Sequence, residues 1–167
     1  MGRGIWHYTS RVALKRILRS GEIRLTRIPI SRREKPAVWF STNPVWEHTV
    51  AKMVRDHEGR MVPQTMAEAH RDEGLARIEV SKDAAPHNWN HFVAISGIKE
   101  REARRLVTVA KEGGASPSEW RVGFEPVPRD KWLSVEVWDG EEWVAYRDEP
   151  KRQNLWALIK RFLRLGG

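Results

Sequence analysis

Short apolar segments that alternate like strands and longer segments with helical spacing follow one another along this chain. Aromatic and β-branched residues at positions 4–9 predict a first strand. Ser10 is a residue type favoured at helix N-caps, and the apolar residues between positions 13 and 18 share one helical face before Gly21. The chain is therefore expected to begin with a strand that leads directly into an amphipathic helix.

Period-two alternation and compact apolar runs predict several more strands. They are expected at residues 22–25, 37–41, 75–80, 106–110, 119–124, 132–137 and 142–146. Asp139-Gly140 separates the last two segments and is typical of a tight hairpin turn.

Helical spacing marks residues 45–54 and 100–105, whereas the polar and aperiodic residues 56–73 predict a loop or a frayed helix. Residues 152–165 are predicted to form a basic amphipathic helix. We expect its apolar face to pack on the domain or on a partner, and binding to a membrane surface is the less favoured alternative. The pattern indicates an α+β fold of one domain, residues 1–150, followed by the C-terminal helix, residues 151–167.

Length and composition narrow the class of protein. The chain has 167 residues and contains no cysteine, which excludes a disulfide framework, a thiol nucleophile and a cysteine-type zinc site. No apolar run approaches the roughly 18 residues of a membrane span, and the N-terminus lacks a signal-peptide pattern. We therefore expect a cytoplasmic protein.

The net charge of +8 is unevenly placed. Residues 1–35 contain ten Lys and Arg against two acidic residues, and residues 151–167 contain five basic residues and no acidic one. The basic stretch 27–35 has a proline inside it and predicts an exposed loop. This distribution suits a polyanionic partner, although a solvated Arg-rich surface would look the same.

The common catalytic and metal-binding motifs are missing. The six histidines show neither HExxH nor Cys/His spacing, so no metal site is expected. There is also no Walker-type loop, no GxGxxG after a strand and no GxSxG nucleophile elbow. Any active site must therefore be assembled from residues that are distant in the sequence.

Three short segments provide such a set. His7-Tyr8-Thr9 ends the first strand, and Leu14-Lys15-Arg16-Ile17-Leu18-Arg19-Ser20-Gly21 follows in the helix. Trp39-Phe40-Ser41 forms an aromatic strand, and Glu119 opens a late strand after a Gly/Ser/Pro loop and before Val127-Pro128.

In these segments the chain resembles the diphtheria-toxin-like, H-Y-E type branch of the ADP-ribosyltransferase superfamily, and within it DarT-like DNA ADP-ribosyltransferases. The likeness covers roughly residues 4–54 and 112–133. It differs at Ser41-Thr42-Asn43-Pro44, where that family places an arginine before a Ser-Pro step. The resemblance implies a split β-sheet with peripheral helices and an enzyme that consumes NAD without a metal.

The resemblance also implies residue roles. Glu119 would be catalytic, binding the 2′-hydroxyl of the reacting ribose and stabilising an oxocarbenium-like state. The NAD-binding residues would be His7, Tyr8, Thr9, Trp39, Phe40 and Ser41. Arg27, Arg32 and Arg33 would contact the NAD phosphates or a nucleic-acid backbone, and Ser116 and Ser118 would lie in the loop that recognises the acceptor.

Several alternatives stay open from the sequence. Trp39 and Phe40 are adjacent and should point to opposite faces of a strand, so one of them belongs to the core. Glu125 and Glu136 compete with Glu119 as the strand carboxylate.

The expected activity is transfer of ADP-ribose from NAD to a macromolecule, with DNA or RNA favoured over protein because of the basic N-terminal part. Such an enzyme could serve as a toxin or in defence against phage, and an antagonist protein is a possible partner. The alternative from another class is a non-catalytic module that binds nucleic acid through tryptophans and the basic loop.

Overall fold

A large antiparallel sheet forms the centre of the molecule. The computed structural model describes residues 4–26 and 33–147. The predicted tail helix, residues 152–165, lies outside this range, as do Arg27 and Arg32 of the basic loop. Within the described part, the fold is mixed α+β, as the sequence pattern predicts, and it has four α-helices.

Eleven strands are formed by the described residues. They are β1 (Ile5–Ser10), β2 (Glu22–Ile23), β3 (Val38–Ser41), β4 (Met53–Arg55), β5 (Met61–Pro63), β6 (Leu75–Val80), β7 (His87–Asn88), β8 (Trp120–Gly123), β9 (Val127–Pro128), β10 (Trp132–Trp138) and β11 (Trp143–Ala145). Seven of them form one sheet in the order β11-β10-β6-β1-β3-β8-β7, while β2 pairs with β9 and β4 pairs with β5 in two small sheets.

Strand pairing in the large sheet is nearly interrupted between β1 and β3. β1 pairs with β6 along its whole length, from Ile5 opposite Val80 to Ser10 opposite Leu75. On its other side β1 pairs with β3 only where Trp6 faces Ser41. The sheet therefore consists of two halves, β11-β10-β6-β1 and β3-β8-β7, that are joined through a single residue pair.

The helices are α1 (Arg11–Ser20), α2 (Met66–Glu73), α3 (Trp89–Ser96) and α4 (Glu100–Glu112). The predicted caps of α1 are confirmed, because Ser10 Oγ accepts from the Ala13 N–H at 3.2 Å and Gly21 has a φ of 73°. Only a residue without a Cβ adopts that left-handed conformation at no steric cost.

Two hydrophobic clusters cover the two halves of the sheet. α1 buries Leu14 against Ile5, Ile78 and Val80 of the first half. α3 and α4 bury Phe92 and other apolar residues against β3 and β8. Removal of this apolar surface from water is the main driving force for placing the helices on the sheet.

The helix predicted for residues 45–54 is wrong. The structure has only a 3₁₀ turn at His48–Val50, followed by strand β4. The Asn43 side-chain oxygen accepts from the Val45 N–H at 2.9 Å, which gives the backbone a local alternative to a helix. Trp46 is buried while Val45 and Val50 are exposed, so the apolar residues do not share one face.

The segment 56–73, expected to be a loop or a frayed helix, contains the short strand β5 in its first half and the helix α2 in its second half. Asp56 closes the β4–β5 turn by accepting from the N–H groups of Glu58 and Arg60, both at 2.9 Å. α2 begins with a capping box between Thr65 and Glu68.

The strand predicted at 106–110 is in fact the second half of α4. Ala103, Leu106, Val107 and Ala110 lie on the face that packs against the α3 cluster, and this burial outweighs the β propensity of the two valines, Val107 and Val109. Helix α3 covers residues for which no element is predicted.

The N-cap of α1 provides a test of how strongly the β1–α1 junction is held. Ser10→Ala removes the acceptor for the Ala13 N–H and should lower the free energy of unfolding by about 1 kcal/mol. Lys15→Ala, on the exposed side of the same helix, should change it by less than about 0.5 kcal/mol. Urea unfolding of the two variants and the parent protein measures both values, and equal midpoints would contradict the capping role.

Candidate functional site

The main cavity lies where the two halves of the sheet meet. Its volume is about 670 Å³, within the range of sites for small molecules. Both β1 and β3 contribute to its wall, together with the segment 47–51, the β4–β5 hairpin, α4 and Trp120 at the start of β8. Most of the wall is apolar or aromatic. Its polar residues are His7, Arg24, Thr26, Ser41, Glu47, His48, Thr49 and Glu112.

His7 lies at the point where β1 and β3 separate. Its Nδ1 is 2.9 Å from the backbone carbonyl oxygen of Trp39. If β1 and β3 were paired along their whole length, a backbone N–H would occupy this carbonyl instead. A carbonyl oxygen only accepts hydrogen bonds, so Nδ1 carries the proton and donates. The remaining ring nitrogen, Nε2, is therefore an acceptor in the neutral ring.

The protonation state of His7 follows from its surroundings. Burial lowers the pKa of His7 from its ordinary value of 6.5, and the hydrogen bond to the Trp39 carbonyl opposes this only in part. Phe40 adds an apolar contact, with its ring edge-on at a centroid distance of 5.7 Å. Near neutral pH the side chain is thus an uncharged acceptor suited to a ligand hydroxyl.

Tyr8 borders the same cavity but has a structural task. Its hydroxyl donates to the carbonyl oxygen of Asn43 at 2.6 Å. Burial is the main reason why the pKa of Tyr8 rises to about 12, so the phenol keeps its proton. Arg77 of β6 donates to the next carbonyl, that of Pro44, and pairs with Glu136 at 2.6 Å. These bonds hold the loop after β3 against β1.

Glu119 directly precedes Trp120 of the cavity wall but is not itself a wall residue. Its carbonyl oxygen accepts from the Thr42 N–H at 2.8 Å, and its carboxylate accepts from the Asn43 amide at 3.2 Å. Asn43, in the stretch where the resembling family has an arginine, therefore connects Glu119 to the end of β3. Of the two competing carboxylates, Glu136 is paired with Arg77 and Glu125 is exposed.

The aromatic wall is formed by residues from β3, α3 and β8. Trp39 packs edge-on against Phe92 at a centroid distance of 4.7 Å and against Trp120 at 6.3 Å. Trp89 meets Trp120 at 5.0 Å. Trp39 and Phe40 both border the cavity, although Phe40 is 3% exposed and also belongs to the core under α1. The cavity can thus enclose a flat ring.

Glu47 is a cavity residue that the sequence does not single out. It is only 6% exposed, and its Oε1 accepts from the Thr49 N–H at 3.2 Å, the Thr49 hydroxyl at 2.7 Å and the Trp120 indole N–H at 3.3 Å. In the predicted helix 45–54 this residue would have been an ordinary surface carboxylate. Its burial depends on contact with Trp120, far along the chain, and no local pattern reveals that.

The other candidate residues lie further away. Thr9 borders a second cavity of about 250 Å³, together with Trp46 and Lys52. The hydroxyls of Ser116 and Ser118 are 2.8 Å apart in the loop before β8. Arg33 is exposed. Of the proposed NAD-binding residues, five are brought together at the main cavity: His7, Tyr8, Trp39, Phe40 and Ser41.

The rim of the cavity is unusually apolar for an exposed surface. Val50, Met53, Met61 and Val109 are each at least 41% exposed, and all four border the cavity. Met53 and Met61 belong to the β4–β5 hairpin, whereas Val109 belongs to α4. The opening is thus flanked by apolar side chains from two separate elements.

Comparisons of the chain with models of known protein families, with curated proteins and with solved structures give no match. Among the described residues, no three His, Asp or Glu side chains form a group that could hold a metal ion. None of the four α-helices in residues 4–26 and 33–147 has both the length and the apolar character to cross a membrane.

The lowered pKa of the half-buried His7 predicts a pH dependence of stability. Because the unfolded chain binds the His7 proton more readily than the folded protein, the free energy of unfolding should fall as the pH drops below about 6.5. His7→Gln removes this titration and should flatten that part of the curve. Thermal unfolding between pH 7.5 and 5.0 measures the difference, and His57→Gln, whose side chain is 86% exposed, serves as the control. Parallel curves for His7→Gln and the parent protein would refute this prediction.

Proposed function

We propose that this protein is an NAD-dependent ADP-ribosyltransferase with a nucleic-acid acceptor. The observation that carries the proposal is the convergence of the sequence segments around one cavity. His7 and Tyr8 of β1 and Trp39 of β3 meet there, while Glu119 is tied through Asn43 to the end of β3. An ADP-ribosyltransferase-type split sheet and a cytoplasmic location belong to the same proposal.

The residues present fit the nicotinamide end of NAD. The cavity of about 670 Å³ offers aromatic faces for the ring and an uncharged His7 as an acceptor for a ribose hydroxyl. Ser41 is fully buried, with its oxygen accepting from the Asn43 N–H at 3.1 Å. Arg24 is the one arginine of the described wall, paired with Glu22 at 2.9 Å, and would lie towards the phosphates.

The reaction breaks the bond between ribose C1′ and the nicotinamide nitrogen and forms a bond from C1′ to the acceptor. Nicotinamide leaves as a neutral molecule with the bonding electron pair, and the acceptor loses a proton. Positive charge builds up on the ribose in between, so a nearby carboxylate lowers the barrier. Glu119 would supply that charge, with Asn43 fixing its orientation through the 3.2 Å hydrogen bond.

The charge of α1 supports a polyanionic acceptor. Its exposed positions include Arg11, Lys15, Arg16 and Arg19, and the helix contains no acidic residue. None of these four forms an ion pair with another residue of the described part. An uncompensated cationic helix surface next to the N-terminal motif favours a phosphate backbone over a protein acceptor.

The alternative of a non-catalytic stacking module has less support. Such modules present aromatic rings on an open surface to successive bases. In the described ranges every tryptophan is buried or half-buried, and the most enclosed are Trp6, Trp46, Trp89 and Trp120. The rings are therefore placed for a cavity ligand rather than for an exposed strand.

Incubation with NAD and a mixture of DNA, RNA and protein, followed by mass analysis, tests the proposal. Nucleic acid should gain one ADP-ribose, and the rate should fall as salt is raised. Labelling of protein alone would show that the acceptor is a protein and not a nucleic acid. If nothing is labelled, the proposal that the protein is an enzyme is refuted.

Glu119→Gln separates chemistry from binding. The substitution removes the negative charge but keeps the size, so transfer should fall by roughly 100-fold or more while NAD binding is retained. Glu125→Gln, an exposed carboxylate on the same chain segment, is the matched control and should keep full activity. Equal rates for the two variants would show that Glu119 is not the catalytic carboxylate.

A further inference from the structure

Glu47 is a buried carboxylate that the proposed transfer chemistry leaves without a task. Only 6% of its surface is exposed, and it borders a cavity whose wall is mainly apolar. A negative charge in such a place is costly unless hydrogen bonds or an opposite charge compensate for it. The side chain therefore needs an explanation of its own.

The hydrogen bonds of Glu47 hold its carboxylate in place but bring no opposite charge to it. Its three donors are the Thr49 N–H, the Thr49 hydroxyl and the Trp120 indole N–H, all uncharged, and all three bond to Oε1. No Lys, Arg or His within the described residues forms an ion pair with Glu47. These bonds fix the orientation of the carboxylate, and none of the three involves Oε2.

Through Trp120, Glu47 adjoins a cluster of aromatic side chains. Trp120, which donates to it, is in contact with Trp39 and with Trp89, at centroid distances of 6.3 and 5.0 Å. All three indoles border the cavity. A cation is attracted both by the faces of aromatic rings and by a carboxylate, and both attractions are stronger where water is excluded.

We propose that Glu47 makes this cavity selective for a ligand with a positively charged aromatic ring. The indoles provide the flat contact and the carboxylate provides the charge preference. This deepens the proposed function and rests on it for the identity of the natural ligand, because the pyridinium ring of NAD is such a cation. The role also changes during the reaction, since released nicotinamide is neutral and would lose the attraction to Glu47.

A matched pair of small probes tests the inference without any transfer step. 1-Methylnicotinamide carries the pyridinium charge, and nicotinamide has nearly the same shape without it. Tryptophan fluorescence titration should show about tenfold tighter binding of the cation to the parent protein, equivalent to roughly 1.4 kcal/mol. Equal affinity for both probes, tighter binding of the neutral one, or binding of neither would overturn the inference.

Glu47→Gln assigns the preference to this side chain. The amide keeps an oxygen to accept from Thr49 and Trp120, so the variant should fold, which near-UV circular dichroism checks. We expect the preference for the cation to fall to within about twofold, while the affinity for nicotinamide stays near that of the parent protein. A preference that survives in this variant would overturn the role of Glu47.

Two further measurements complete the design. Glu102→Gln, a partly buried carboxylate of α4 away from the cavity wall, should leave the tenfold preference intact; loss of the preference there would point to a general charge effect and overturn the assignment. If the probes bind with the expected preference but NAD labels no acceptor, the ligand inference stands and the transferase proposal fails. If NAD labels an acceptor but the probes show no preference for the cation, the transferase proposal stands and the ligand inference fails.

Discussion

The architecture depends on how three backbone carbonyls are satisfied where the central sheet divides. β3 leaves β1 after the single pair Trp6–Ser41, so the Trp39 carbonyl loses the partner that a continuous ladder would provide, and the carbonyls of Asn43 and Pro44 lie in the loop that follows β3. Side chains replace the missing backbone donors. The donors are His7, Tyr8 and Arg77. Without them the opening between the strands would expose unpaired polar groups, and closing the sheet would be favoured over keeping a cavity.

The same substitution of side chains for backbone donors sets the chemical character of the cavity. His7 is held with one nitrogen engaged and the other available, and burial keeps it uncharged. Asn43 links the closed end of β3 to Glu119, while Glu47 is turned inward by Thr49 and Trp120. A neutral acceptor, His7, and one carboxylate, Glu47, thus line a pocket with aromatic walls, while Glu119 is held beside the wall residue Trp120.

Sequence reasoning identified the elements whose signals are local. β1, the capped helix α1, β6 and the β10–β11 hairpin are confirmed, because Ser10, Gly21 and Asp139-Gly140 act over a few residues. The helix predicted at 45–54 is wrong, since the conformation there depends on the Asn43 side chain and on distant packing partners, and β5 within the segment 56–73 has no local signal. Five proposed NAD-binding residues border one cavity, but Glu47 could not be recognised, because its burial is created by Trp120 on a strand far along the chain.

The apolar rim of the cavity has a thermodynamic consequence. Val50, Met53, Met61 and Val109 keep apolar surface in water when the cavity is empty, and each square ångström so exposed forgoes roughly 25 cal/mol of stabilisation. A ligand that covers this rim recovers that free energy and releases ordered water, which gives binding a negative heat-capacity change. The β4–β5 hairpin has only its own two strands as a sheet, so a ligand that covers Met53 and Met61 would add to its stability. By mass action, a ligand that contacts the folded hairpin would favour its folded form.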